Sequence, residues 1–243
     1  MGKKRVLLSL PRCGQVEPES RFSGLGGGWH GDHFHVFTLD NSNSALTWNF
    51  NNAWCEFLNG DYAYFGMLHS DIAVSGPWIN ALADALNERD AGIAHMVMAI
   101  KDERGLTSTA IGDPGDPWRP VRRITANELM GLPLVFDVHD LSYLQYRGER
   151  CLLPNTGCML VKRGDWCEKF PGFEIRNRLI EVDGKRHAQF EPEDWNFGRW
   201  AANNGVRVIG SRQCETTHFG RFGFKNNYSW GAWKFDEDAR GEM

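Results

Sequence analysis

Apolar and polar positions alternate in blocks along the first hundred residues. Residues 5–10 form a short apolar run stopped by Pro11, and residues 33–39 form a second run rich in aromatic and β-branched side chains, so both read as strands. After Asp40 the polar run NSNS can cap a helix whose body, ALTWNFNNAWCEFLNG, ends at Gly60. The run at 62–68 can only be a buried strand. Ser75, Gly76 and Pro77 then open a helix, WINALADALNER, with apolar residues at helical spacing, and residues 93–100 return as a buried strand. Three such alternations predict an α/β fold: a doubly wound, mostly parallel sheet with flanking helices.

The second half is less regular. Residues 101–120, KDERGLTSTAIGDPGDPWRP, read as a long loop bordering a cleft. Thr125 is placed to cap the short helix ANELMG, and CLLPNTGCMLVKR offers a strand on either side of Asn155, Thr156 and Gly157. Pro192, Glu193 and Asp194 open a helix through WNFGRWAANN that Gly205 ends, before the strand VRVIG. The cluster GLGGGWHGD lacks the Lys-Ser/Thr of a P-loop and precedes a strand, so a mobile surface loop is expected there. Without internal repeats, low-complexity tracts or a clear linker, one domain spanning 1–243 is expected, with halves at about 1–110 and 111–225 and a loosely ordered tail at 226–243.

Composition narrows the function classes. The 243 residues are 42% hydrophobic, enough for a sizeable core, and the net charge of −4 gives no sign of a nucleic-acid stripe or an anionic-membrane anchor. No run approaches the roughly 20 apolar residues of a membrane span. The start, MGKKRVLLSLPRCG, has too short an apolar core for a signal peptide, which makes the cytoplasm the expected compartment. Cysteines at 13, 55, 151, 158, 167 and 214 contain no Cys-x-x-Cys pair, so neither a zinc knuckle nor a disulfide framework is expected. The ten tryptophans can serve the core, and any that are exposed can stack on sugar faces.

The strand at 62–68 ends abruptly in His69, Ser70 and Asp71. Ligands of open α/β sheets bind outside the carboxyl ends of strands, and residues two apart on a strand point the same way. His69 and Asp71 could thus grip one cation, although a His-x-Asp pair also arises by chance.

Three features together resemble the GT-A nucleotide-sugar glycosyltransferases, especially the family-2-like branch, over roughly residues 5–220. First, strands ending LSLPR and TLDNSNS precede a helix containing Asn49 and Asn52 and the strand that delivers HSD. His69-Ser70-Asp71 stands where such enzymes carry Asp-x-Asp, with the first aspartate replaced. Second, EPEDWNFGRW looks like the Glu-Asp-Trp acceptor motif, which implies Asp194, beside Glu193, as catalytic base. Third, His218 in TTHFGRFGF matches a C-terminal histidine that completes the metal site.

The resemblance implies a divalent ion held by Asp71, His69 and His218. An imidazole ligand favours Mn²⁺, with Mg²⁺ possible. It further implies donor contacts from Pro11, Arg12, Asp40, Asn49, Ser70, Arg221 and Lys225. Acceptor or diphosphate contacts fall to Lys101, Asp102, Arg104, Asn155, Thr156 and Gly157, with Trp195 and Trp118 as stacking platforms. Each of these residues also has an ordinary structural reading: turn residues at strand ends, an acidic first helical turn, a histidine packed among aromatics. The implied activity is inverting transfer of a sugar from a nucleotide donor, UDP-linked by resemblance, to a hydroxyl acceptor. Nucleotidyl transfer on a related fold and a non-catalytic sugar-binding module are the rivals.

Overall fold

The computed structural model describes residues 2–12, 16–25 and 28–231. Cys13, the centre of the glycine cluster and most of the expected tail lie outside the described residues. In chain order the first half contains β1 (Lys4–Arg12), α1 (Pro18–Leu25), β2 (Phe34–Ser42), α2 (Leu46–Asn59), β3 (Tyr64–Leu68), β4 (Ile72–Val74), α3 (Trp78–Glu88), β5 (Ile93–Met96) and β6 (Leu106–Gly112). Next come β7 (Arg122–Thr125), α4 (Ala126–Leu129), β8 (Val135–Phe136), β9 (Cys151–Leu153), β10 (Cys158–Lys162), β11 (Arg176–Val182) and β12 (Lys185–Glu191). The chain closes with α5 (Glu193–Asn203), β13 (Val208–Ser211), β14 (Thr216–Phe219) and β15 (Gly223–Lys225).

A seven-stranded sheet in the order β2-β1-β3-β10-β5-β13-β8 forms the centre. β1 runs parallel to β2 and β3, and β13 runs parallel to β5, as the alternation of strands and helices predicts. β10 enters antiparallel between β3 and β5, and β8 is antiparallel to β13 on the edge. The sheet is therefore mostly parallel, and it draws strands from both sides of residue 110.

Helices cover both faces, which is why the central strands read as continuous apolar runs. Leu7, Phe65, Met67 and Met159 face α2 and α5, meeting Phe50, Trp54, Phe57 and Phe197. Val6, Leu8, Leu68 and Leu160 face the other way, onto Trp78, Ile79 and Leu82 of α3. Trp54 packs edge-on against Phe65, Phe170 and Phe173 with ring centroids 5.2–6.0 Å apart, an arrangement that stabilises beyond the area it buries.

Smaller sheets, β7-β6-β9 and β15-β14-β4, stand at the carboxyl ends of the central strands, and β11-β12 form a hairpin of their own. Residues 101–120, expected as loop, contain β6. The run NSNS does not cap α2 as expected: the N-cap position is Ala45, with no side-chain cap bond, and Asn43 Oδ1 instead accepts from Ala45 N–H at 2.9 Å ahead of the helix. Thr125 caps α4 as expected, in a reciprocal pair with Glu128. No helix among the described residues is long and apolar enough to cross a membrane.

Candidate functional site

Two groups of polar side chains lie beyond the carboxyl ends of the central strands. The first is built from three elements. β3 delivers His69 and Asp71, the segment after β5 delivers Lys101, and β14 delivers His218. Lys101 Nζ donates to Asp71 Oδ2, and His218 Nε2 lies 3.5 Å from the same oxygen. Backbone bonds fix the frame: Phe219 N–H donates to Asp71 C=O at 2.8 Å, and His69 N–H donates to Gly157 C=O at 2.8 Å. His218 Nδ1 sits 2.8 Å from the Ala99 carbonyl, to which a protonated Nδ1 donates, and the ring's other nitrogen faces Asp71.

Burial works to raise the pKa of Asp71, but the hydrogen bonds and charges of His218 and Lys101 win and hold it well below the usual carboxylate range. His69 is the reverse case. Its ring packs on Phe50 at 5.4 Å, and burial lowers its pKa to about 4, so it is neutral near pH 7. Its Nε2 is buried without a hydrogen-bond partner.

These side chains are a test of fit for the implied divalent ion. His69 offers a partnerless nitrogen, yet among the described residues no three His, Cys, Asp or Glu side chains gather closely enough to hold a metal. The Asp71 oxygen nearest His218 already takes the Lys101 ammonium. As they stand, the residues fit a lysine-held carboxylate and do not fit a divalent ion.

The second group surrounds a cavity of about 660 Å³. Asp194, at the start of α5, lies in its wall with Trp195, Trp118, Phe190 and Arg123, and so does Ile100, the residue before Lys101. The long 101–120 segment borders this cleft as expected, through Ser108 and residues 117–120. Arg123 lies over the Trp195 ring at 4.7 Å and Arg178 over the Trp118 ring at 4.4 Å. Asp194 Oδ1 accepts from Trp195 N–H at 2.8 Å. Enclosure by the protein and then the neighbouring Glu193 carboxylate push the Asp194 pKa up to about 8, and burial also raises that of Glu193. The expectation that a helix start keeps Asp194 ionised therefore gives way to burial, because a first-turn effect is worth only about 0.3–1 kcal/mol.

Other expected site residues fall elsewhere. Arg12 Nε pairs with Asp40 Oδ1 at 2.8 Å at the carboxyl ends of β1 and β2, with Pro11 buried beside it. Asn49 is buried in α2 and donates from Nδ2 to Asn43 C=O at 3.2 Å. Asp102 is bound by Arg104; burial works to raise its pKa, but the bonds and charge of Arg104 leave it lowered. Lys225 pairs with Glu215 at 2.6 Å, while Ser70 is half-buried and Arg221 is exposed.

Asn155 and Thr156 are buried beneath the first group. Asn155 Nδ2 donates to Met96 C=O and to His95 Nδ1, both at 2.9 Å, tying the end of β5 to the turn before β10. A side chain at Gly157 would meet Ile72 Cδ1 and Met98 Cε at 2.4 Å, so the absence of a Cβ there serves packing. The sequence reading did not pick out Arg123 or Phe190. Phe190 stands two residues before Pro192, close enough to the acidic motif to have been suspected.

No family model matches the chain, and no curated protein matches it. Among solved structures, A197 from STIV matches with a TM-score of 0.52 at 14% identity, covering 95% of this chain and 98% of that one. At that identity the match establishes a shared fold. CMP:2-keto-3-deoxy-manno-octonic acid synthetase complexed with CTP matches with a TM-score of 0.39 at 12% identity, over 86% of this chain and 89% of that one. The inositol-1-phosphate CTP transferase from T. maritima gives 0.35 at 10% identity, over 89% of each chain.

Proposed function

We propose that the protein is a transferase acting on a nucleotide-activated sugar, and that it moves the glycosyl group to a hydroxyl acceptor bound in the aromatic cavity. The observation that carries this reading is Asp194: a carboxyl set in the wall of a cavity of about 660 Å³, its Oδ1 held by Trp195 N–H, its surroundings two tryptophans and a phenylalanine. A hydroxyl attacking an anomeric carbon must lose its proton, and a carboxylate beside it can take that proton. Tryptophan faces suit the apolar faces of sugar rings. Ile100 joins the cavity wall immediately before Lys101 joins the cationic group, so acceptor and donor phosphate would be bound by adjoining stretches of chain.

In this reading Asp194 accepts the acceptor proton from its ionised form, Trp118 and Trp195 orient the acceptor, and the Lys101–Asp71–His218 group faces the donor diphosphate. A leaving diphosphate gains negative charge as the glycosidic bond breaks, and a preorganised cation there lowers the barrier. The uridine base and the inverting outcome follow from the resemblance of the sequence motifs. Nucleotidyl transfer is the second reading, and the cationic group suits it equally. Attack on phosphorus by an anionic nucleophile needs no general base, however, so it leaves the half-buried Asp194 in the cavity wall unexplained.

Product analysis after incubation with nucleotide sugars tests the proposal. Glycosyl transfer releases a nucleoside diphosphate, whereas pyrophosphate release from nucleoside triphosphates would move the assignment to nucleotidyl transfer.

A further inference from the structure

We propose that Lys101 is the resident cation of this centre: its ammonium takes the place on Asp71 that a divalent ion would need, and its remaining N–H groups bind donor phosphate without metal. The inference rests on the nucleotide-sugar reading for the identity of the phosphate, but the placement of Lys101 stands on geometry alone. An exposed lysine–aspartate pair ordinarily contributes little and signifies little. Here two separate chain segments converge on one carboxylate oxygen of a third, Asp71 Oδ2, which receives the Lys101 ammonium and faces His218 Nε2 at 3.5 Å.

The lysine is also held along its length. Gly220 lies against its stem so closely that a Cβ there would come within 3.1–3.3 Å of Lys101 Cβ, Cγ and Cδ. The backbone on either side of the pair is tied down by Phe219 N–H to Asp71 C=O at 2.8 Å and Ile100 N–H to Leu106 C=O at 2.9 Å. A Lys101 ammonium so placed repels a second cation at the same oxygen. It keeps two further N–H groups for phosphate oxygens, and Arg221, exposed on the turn after Gly220, is the next cation along the chain.

The experiment uses the full chain freed of metal by chelation, the Lys101→Met variant, and the double variant Lys101→Met/Asp71→Asn. Electron paramagnetic resonance of free Mn²⁺ reads uptake of the metal alone. The unaltered protein is expected to take up none at equimolar Mn²⁺, Lys101→Met to take up measurably more than the unaltered protein, and the double variant to lose that excess again. Stoichiometric uptake by the unaltered protein that Asp71→Asn abolishes would overturn the assignment.

Calorimetry with uridine, cytidine, guanosine and adenosine diphosphates in EDTA reads the phosphate role. Binding is expected to survive chelation and to weaken about tenfold or more in Lys101→Met. Lys101→Arg, which keeps the charge, should retain most of it and controls for misfolding. Binding that vanishes on chelation overturns the metal-free role. Failure of every nucleoside diphosphate to bind would overturn the donor reading, while the Mn²⁺ result still decides where Lys101 stands.

Discussion

At Asp194 the environment and the proposed task pull in opposite directions. Burial and Glu193 hold the carboxyl protonated up to about pH 8, whereas a base must be ionised. The reactive fraction therefore grows with pH, and kcat/KM for transfer is expected to climb through pH 8 and level off above it. Asp194→Asn should lower transfer by about 10²–10⁴-fold, the usual contribution of a positioned base, while nucleoside diphosphate binding is kept. The same side chain makes a stability prediction of definite sign. Its folded pKa is raised above the ordinary 3.8, so its contribution is fully present below that value and is lost as pH rises through about 8. Denaturant midpoints should fall between pH 6.5 and 9 in the unaltered protein and fall less in Asp194→Asn; an unchanged slope would show that Asp194 titrates normally.

On the scale of elements, α5 sets the position of Asp194 because of how it packs. A Cβ at Gly198 would meet Pro154 Cδ at 2.4 Å and Leu152 C=O at 3.2 Å, so the helix rests directly on the end of β9. Gly198→Ala is expected to destabilise by about 1–3 kcal/mol in chemical denaturation, the range for overpacking, and to displace Asp194. By contrast Trp118, carried by the 113–121 segment and covered by Arg178 of the β11–β12 hairpin, buries little core. Trp118→Ala should raise the acceptor KM while shifting stability by no more than about 0.5 kcal/mol.

That hairpin also shows what the sequence could and could not reveal. Both its strands are almost wholly exposed, so no apolar alternation marks them. Asp183-Gly184, with φ of 51° and 73°, was nevertheless a hairpin turn signal in plain view. β1, β3 and α3 were legible because full burial and helical spacing leave a local trace. The insertion of β10 between β3 and β5 was not, since strand order is decided by packing across about 90 residues of chain. The His-Ser-Asp strand end was equally legible, while nothing local to Lys101, thirty residues further on, separates an acceptor or diphosphate contact from its pairing with Asp71.

Across the molecule, the end of β5 adds a second pH dependence. His95 is fully buried, its Nδ1 accepts from Asn155, and burial lowers its pKa to about 4 from the ordinary 6.5. Because the unfolded chain binds a proton that the folded one refuses, the stability from this neutral imidazole is present above pH 6.5 and is lost as pH falls toward 4. Midpoints measured from pH 6.5 down to 4 should drop less steeply in His95→Gln than in the unaltered protein.

The sheet, the cationic group beyond β3 and β5 and the cavity beside α5 are what the proposed joining of an activated sugar to a hydroxyl would use. The most direct measurement is product analysis by mass spectrometry after incubating the protein in EDTA with a panel of nucleotide sugars, compared with Asp194→Asn. The account predicts release of a nucleoside diphosphate from at least one donor by the unaltered protein and its near-absence in the variant. No turnover of any donor, or equal release by both proteins, would contradict it.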